Sequence, residues 1–300
     1  MPGLLTAAIF VSLLGILVCG GLVAQIAQKR DYLLLVVMFV LALPLSAGTY
    51  YLVRLPIKGA VDARLAKDSH LNTAARLCYA PLTEEPVKLV PLLVLLVPTF
   101  WGRLTRENVV AMALTLGLGF AVGEMWLIFQ FIADSPDLAP GGKWANVPAH
   151  EFYFFGGYIG ERLQTCFTHS GFVVLSVWGL RRGPGWFVLG LAGAMTLHFL
   201  GNFPIYLMHI DAFGWGKPVW QQLVGLWVAL FTVFSLVLLG GMYFGPAALK
   251  KLFTAKVKCP DCGELYSQPI FGMNAGMKRY ERCPHCKKWH WIDIRDLLKN

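Results

Sequence analysis

The sequence predicts an all-α polytopic membrane protein of about seven transmembrane helices, followed by a small C-terminal β-type zinc ribbon. Three observations lead there. The chain is 56% hydrophobic and 14% charged over 300 residues, a balance that excludes an ordinary soluble enzyme of this length. Its apolar residues gather in stretches close to the roughly 20 residues that cross a bilayer as a helix. Beyond residue 248 the composition turns polar, and four cysteines appear as two C-x-x-C pairs.

Taken in order, the apolar stretches cover 3–25, 32–54, 77–101, 108–133, 153–180, 185–209 and 219–243. The first begins MPGLLTAAIF, without a basic residue ahead of its apolar run or a clear small-residue cleavage site after it. It therefore reads as a span and not as a removable signal. Lys29 and Arg30, Arg103 and Arg106, Arg181 and Arg182, and the lysines from Lys250 onward occupy alternate loops. Set on one side, they put the N-terminus outside and the C-terminus in the cytoplasm. The net charge of +9 is then chiefly an orientation signal, and nucleic acid is a disfavoured partner. Residues 55–76 run against the pattern, with Lys58, Arg64, Lys67 and Arg76 on the outer side. Asp62 and Asp68 interleave with them, as in an interfacial helix. The Pro- and Gly-rich stretch 134–151 is expected to be an irregular loop.

Two domains follow: a membrane domain, 1–248, and a cytoplasmic tail, 249–300. The tail holds Cys259-Pro-Asp-Cys262 and Cys283-Pro-His-Cys286. Two such pairs about 20 residues apart are a zinc-ribbon signature. Four thiolates suit tetrahedral Zn²⁺, and closing all four positions makes a structural site. So small a module depends on its metal for folding. Paired disulfides or loose thiols are the plainer alternative, and His285 or His290 could replace a cysteine ligand. Cys19, Cys78 and Cys166 fall in apolar helices and read as small buried hydrophobes.

Charges at membrane depth are rare and face a cavity or a partner. This chain has Glu84, Glu85 and Lys88 in the third stretch, Glu124 in the fourth, Arg162 and His169 in the fifth, and His198 and Asn202 in the sixth. Counting about 1.5 Å per residue from the nearest loop charges puts Glu84, Glu124 and Asn202 roughly 11–15 Å below the outer surface. His169, reckoned at roughly 18 Å from the inner face, falls in the same layer. Each group alone has a plain reading. Thr83-Glu84-Glu85-Pro86 could start a helix. Glu124 or His169 could be a structural contact, and His198 with Asn202 could be interhelical glue. Their common depth favours one shared site. Glu84 and Lys88, and His198 and Asn202, are i, i+4 pairs that share a helix face. Glu161 and Arg162 lie nearer the outer mouth and read as structural.

Two carboxylates, two histidines and an amide suit hydrolysis. A buried Glu assisted by Lys88 can take a proton from water and return it to a leaving amine. His198 and Asn202 can donate to the oxyanion of a tetrahedral intermediate. A catalytic zinc held by two His and a Glu is the second version, although no H-E-x-x-H occurs.

Taken together, E-E-x-x-K (Glu84, Glu85, Lys88), G-x-G-F-x-x-x-E (Gly117 to Glu124), E-R followed by His (Glu161, Arg162, His169) and H-x-x-x-N (His198, Asn202) resemble the PrsW family of intramembrane proteases. That family is related to CAAX prenyl endopeptidases and bacterial CPBP proteins. The resemblance covers about residues 75–205 and implies endoproteolysis of membrane-anchored proteins, in bacteria the first cut of an anti-sigma factor. By this resemblance Glu84 activates water that His169 helps to hold, Glu85 and Lys88 support them, Glu124 is the second-motif carboxylate, and His198 with Asn202 forms the oxyanion side. Met125 stands where the family often has Asn, and Asn202 where it often has Asp. The latter favours a glutamate mechanism over a catalytic metal. The resemblance implies a bacterial inner (plasma) membrane as the setting, with the lipid bilayer and a membrane-anchored substrate as partners. The ribbon lies outside the shared core and reads as an accessory module for substrate, regulatory or cytoplasmic-protein contact. A proton- or ion-coupled transporter, a CAAX-type endopeptidase and a non-catalytic scaffold are the competing readings.

Overall fold

The computed structural model describes residues 2–66, 69–96, 104–134, 158–254, 256–267, 272–275 and 278–293. All but the first residue of the loop expected over 134–151 lies outside them, as do the end of the third predicted span and the start of the fifth. The chain divides into two compact units, Met1–Leu239 and Gly240–Asn300.

The first unit is helical. Helix α1 (Pro2–Ile26) is followed by α2 (Tyr32–Ala42), α3 (Leu45–Thr49), a π-helical turn (Tyr50–Arg54) and α4 (Leu55–Asp62). Next come α5 (His70–Lys88), α6 (Val90–Leu96), α7 (Arg106–Asp134), α8 (Tyr158–Arg182), α9 (Pro184–His209) and α10 (Lys217–Thr254). The part of α10 from Gly240 belongs to the second unit, and its backbone breaks at Gly245 (φ 75°). Helix α5 starts well before the glutamates: Ser69 caps it by accepting a hydrogen bond from the Asn72 amide. Thr83-Glu84-Glu85-Pro86 is therefore helix interior and not a helix start. Pro81 and Pro86 both sit inside α5. Each lacks the N–H that would bond the carbonyl four residues back. The helix breaks at Leu89, three residues past Pro86, and restarts at Val90.

Among the described residues, five helical segments are long and apolar enough to cross a membrane: Gly3–Ile26, Lys29–Asp62, Asn108–Ala133, Pro184–His209 and Pro218–Gly245. The two other predicted spans correspond to α5 with α6, and to α8. Composition fails there for a physical reason. Helix α5 carries Arg76, Glu84, Glu85 and Lys88, and α8, between its terminal charges, carries Gln164, Thr165, Thr168, His169 and Ser170. The outward faces of the apolar segments expose Leu17, Leu33, Leu52, Val188 and Val237. Such a coat of aliphatic side chains needs an apolar surrounding to cover it.

Helix α7 is the axis of the bundle. Its apolar window is 72% buried, against 11% in α9 and in α10. Leu118, Ala121 and Met125 of α7 form one core with Leu4, Ala7 and Val11 of α1 and Cys166 of α8. The glycines of the G-x-G-F stretch set the packing distance. A Cβ on Gly117 would stand 2.4 Å from the Ser170 amide nitrogen of α8, and one on Gly123 would stand 2.0 Å from the Leu43 carbonyl oxygen. Only a residue without Cβ permits that approach.

In the second unit, β1 (Lys256–Lys258) pairs antiparallel with β2 (Leu265–Ser267). A second antiparallel sheet has the order β3 (Gly272–Ala275), β4 (Lys278–Arg282), β5 (Trp289–Asp293). Among the described residues of this unit, the buried apolar cluster is small: Val257, Cys259, Tyr266 and Cys283, with Cys286 and Ile292 against them.

Gly117→Ala should force α7 and α8 apart and cost about 1–3 kcal/mol, the usual range for overpacking a filled contact. The check is the thermal midpoint of detergent-solubilised protein, with Gly20→Ala, which meets nothing within 4 Å, as the neutral control.

Candidate functional site

The sequence-predicted polar residues of the membrane unit converge. A cavity of about 160 Å³ is lined by Glu84 of α5, Glu124 of α7, His169 of α8, and His198 and Asn202 of α9. That space holds several waters, since one water fills about 30 Å³ of liquid. Glu85 and Lys88 do not line it. They lie behind the wall at 1% and 0% exposure, and Lys88 is among the largest fully buried side chains of the protein.

A continuous chain of ionic and hydrogen-bonded contacts joins these groups. Arg54, on the π-helical turn, pairs with Glu84 Oε1. Glu84 Oε2 stands 3.8 Å from His198 Nε2. His198 Nδ1 bonds Glu85 Oε1 at 2.6 Å, and Lys88 Nζ donates to the same oxygen at 2.5 Å. Lys88 Nζ also reaches His169 Nδ1 at 2.6 Å. His169 Nε2 bonds Glu124 Oε2 at 3.1 Å. Arg162 Nη1 lies 3.5 Å from that oxygen, and Arg162 also pairs with Glu161.

The chain fixes the histidine tautomers. An ammonium has donors only, so His169 Nδ1 accepts from Lys88 and the ring proton sits on Nε2, aimed at Glu124. His198 donates from Nδ1 to Glu85, a carboxylate that is acceptor only. Its Nε2 is left facing Glu84 and the cavity. Aromatic rings hold both imidazoles. Phe172 stacks on His198 with centroids 5.5 Å apart, and Phe120 meets His169 edge-on at 5.3 Å. Phe120 also lies 4.7 Å from the Lys88 ammonium, a cation–π contact that helps a charge out of water. The two histidine rings are 5.7 Å apart.

Three findings differ from the sequence reading. Lys88 does not bond Glu84, its i, i+4 neighbour. It bonds Glu85 at i, i+3, because Arg54 occupies one Glu84 oxygen and the other faces the cavity. Both His169 nitrogens are engaged, so a water or metal on His169 would have to displace Lys88 or Glu124. Arg162 belongs with the site: it is 7% exposed, lines the cavity and faces Glu124. Arg54 escaped sequence reasoning altogether. Its only signal was a lone arginine ending a long apolar stretch.

The tail assembles its four cysteines. Cys259, Cys262, Cys283 and Cys286 bring their sulfurs within 4.8 Å of one another. Cys259 and Cys286 are 3.6 Å apart, and Cys262 and Cys283 3.9 Å apart. Tetrahedral zinc with bonds near 2.3 Å separates its sulfurs by about 3.8 Å, so the set is compatible with a structural zinc site. The two knuckles repeat one geometry. Cys259 N donates to Glu264 O and Gly263 N to Cys259 O; Cys283 N donates to Lys288 O and Lys287 N to Cys283 O. The residue after each second cysteine is left-handed, Gly263 at φ 77° and Lys287 at φ 63°. Under the knuckles, Tyr266 bonds Glu281 and His290, both at 2.8 Å. Burial, with the Glu281 carboxylate beside it, holds the Tyr266 hydroxyl well above the usual phenol range. It stays protonated and donates to Glu281, and His290 then donates to it from Nε2.

No family model, curated protein or solved structure matches the chain.

Lys88→Met should destabilise the membrane unit by about 3–5 kcal/mol, because it leaves Glu85 buried without its cation. Adding Glu85→Gln should recover part of that loss, a coupling that thermal midpoints of the two single variants and the double variant measure. In the tail, metal analysis should find one zinc per chain. Replacing Cys259 and Cys283 with serine should abolish it and open residues 256–293 to proteolysis.

Proposed function

We propose that the protein is an intramembrane endopeptidase of the PrsW type, with α5–α6 and α8 as two further spans that complete seven, and with a cytoplasmic tail. Its substrate is a membrane-anchored protein, of which an anti-sigma factor is the bacterial example implied by the resemblance. The observation that carries the reading is one cavity, large enough for water, onto which Glu84, Glu124, His169, His198 and Asn202 open from four helices.

In this reading Glu84 is the general base. Arg54 holds its Oε1, which leaves Oε2 toward His198 and the cavity. A water there gives its proton to Oε2 as its oxygen attacks the scissile carbonyl. Asn202 donates a hydrogen bond to the oxyanion, and His198, held at Nδ1 by Glu85, joins it when its Nε2 carries a proton. Glu84 then passes the proton to the leaving amine as the carbon–nitrogen bond breaks. Glu85 orients His198 as the acid of a catalytic triad orients its histidine. Lys88 and His169 link that pair to Glu124, which with Arg162 forms the far wall. His169 is a positioning residue here, since both of its nitrogens are occupied.

A second reading draws on the same chain of contacts. An unbroken run of ionisable groups from Arg54 to Glu161 has the form of a proton relay.

Glu84→Gln should lower cleavage of fluorogenic single-span peptides by reconstituted protein about 100- to 10,000-fold, the usual contribution of a positioned general base, with a cooperative thermal transition retained although Arg54 loses its counter-charge. Full cleavage by this variant would remove Glu84 from the mechanism. Absence of cleavage by the wild type, together with proteoliposome proton flux that Glu84→Gln abolishes, would establish the relay instead.

A further inference from the structure

The three-stranded sheet of the tail has two unlike faces. Side chains alternate along a strand, so Glu281 and His290 point one way, both buried. Tyr280, Trp289 and Trp291 point the other way. Met273 lies opposite Tyr280 on β3, and Trp291 lies opposite Tyr280 on β5. Trp289 is 52% exposed, Trp291 51% and Met273 64%. Tyr280 packs against Trp289 at 5.2 Å and Trp291 at 4.9 Å between centroids. The three rings therefore form one preorganised outward platform. Lys278 and Arg282 occupy the same face of β4 and are both exposed. Asp293 stands opposite Lys278 on β5 and Arg282 Nε donates to Lys287 O, so the face carries two cations against one carboxylate. The metal-ligating core does not need aromatic rings on this side, and exposing them to water is unfavourable.

Connectivity and charge say what covers them. Segment Pro218–Gly245 is apolar enough to cross the membrane, and beyond a break at Gly245 α10 resumes and ends at Thr254. Lys250 and Lys251 follow the apolar part, and one residue separates Thr254 from β1. The tail is thus tethered next to the end of a candidate span, where a bilayer surface is present at a high effective concentration. Trp and Tyr favour the headgroup level of a bilayer, and neighbouring Lys and Arg are drawn to anionic lipid. We propose that the Tyr280–Trp289–Trp291 face, with Lys278 and Arg282, docks the tail on the anionic headgroup surface of the membrane. The proposal is independent of the proteolytic reading.

The test uses the full chain in nanodiscs of phosphatidylcholine alone or mixed with phosphatidylglycerol, each with brominated acyl chains. Subtracting the emission of a Trp289→Phe/Trp291→Phe variant isolates the two tail indoles, and an unchanged zinc content shows that the tail stays folded. Docking predicts blue-shifted difference emission that brominated lipid quenches in the phosphatidylglycerol discs. That quenching should be lost in phosphatidylcholine discs, at high salt, and in Lys278→Glu. Water-exposed emission in both kinds of disc overturns the proposal. So does equal quenching in both, which would show burial without any dependence on lipid charge. Emission indifferent to lipid but quenched by an added single-stranded oligonucleotide also overturns it, and assigns the platform to base stacking.

Discussion

Lys88 is the pivot of the membrane unit. A primary ammonium without solvent contact survives only where fixed partners replace its hydration. Here a carboxylate, an imidazole nitrogen and an aromatic face do so: Glu85, His169 and Phe120. Those partners come from α5, α8 and α7, so the requirements of one charge specify how three helices meet. The same contacts orient the groups that open on the cavity. Glu85, neutralised by Lys88, turns His198. His169, held at Nδ1 by Lys88, turns its other nitrogen to Glu124. A buried ionic cluster is weak evidence for stability, and its value here is orientation.

Charges at this depth shape the helices that carry them. Helix α5 contains two prolines, each without a backbone donor, and ends at Lys88, with α6 starting at Val90. The π-helical turn before α4 shifts register just where Arg54 must reach Glu84. Helix α7 answers a different demand. It passes through the middle of the bundle, so its glycines let α8 approach until Glu124 and His169 are within hydrogen-bonding distance. Irregularity in α5 and close packing in α7 both serve to gather polar groups where water is scarce, although Glu85 Oε2 and Arg54 Nε are buried without a hydrogen-bond partner among the described residues.

The tail solves the opposite problem. Its buried apolar residues are too few to hold five short strands, so the four-cysteine set stands in for a core, with Tyr266, Glu281 and His290 satisfying one another beneath it. The second knuckle repeats the first down to its left-handed residue, although Lys287 stands where the first has Gly263. A lysine in that conformation is under mild strain, which the Lys287 N to Cys283 O bond offsets.

Much was legible in the residues themselves. Apolar stretches of spanning length, four cysteines at ribbon spacing, and ionisable groups at a shared depth are all one-dimensional facts. Hydrophobicity, metal-ligand chemistry and helical rise turn them into helices, a ribbon and a candidate site. Pairing was not legible. Glu84 and Lys88 share a helix face, yet Glu84 goes to Arg54 and Lys88 to Glu85 and His169. Arg162 looked peripheral until α7 brought Glu124 beside it. A charge takes the nearest counter-charge in space, and along five separate segments that neighbour is set by how the helices pack. Sequence alone determined which groups must be hidden from lipid; tertiary structure alone decided which of them hide one another.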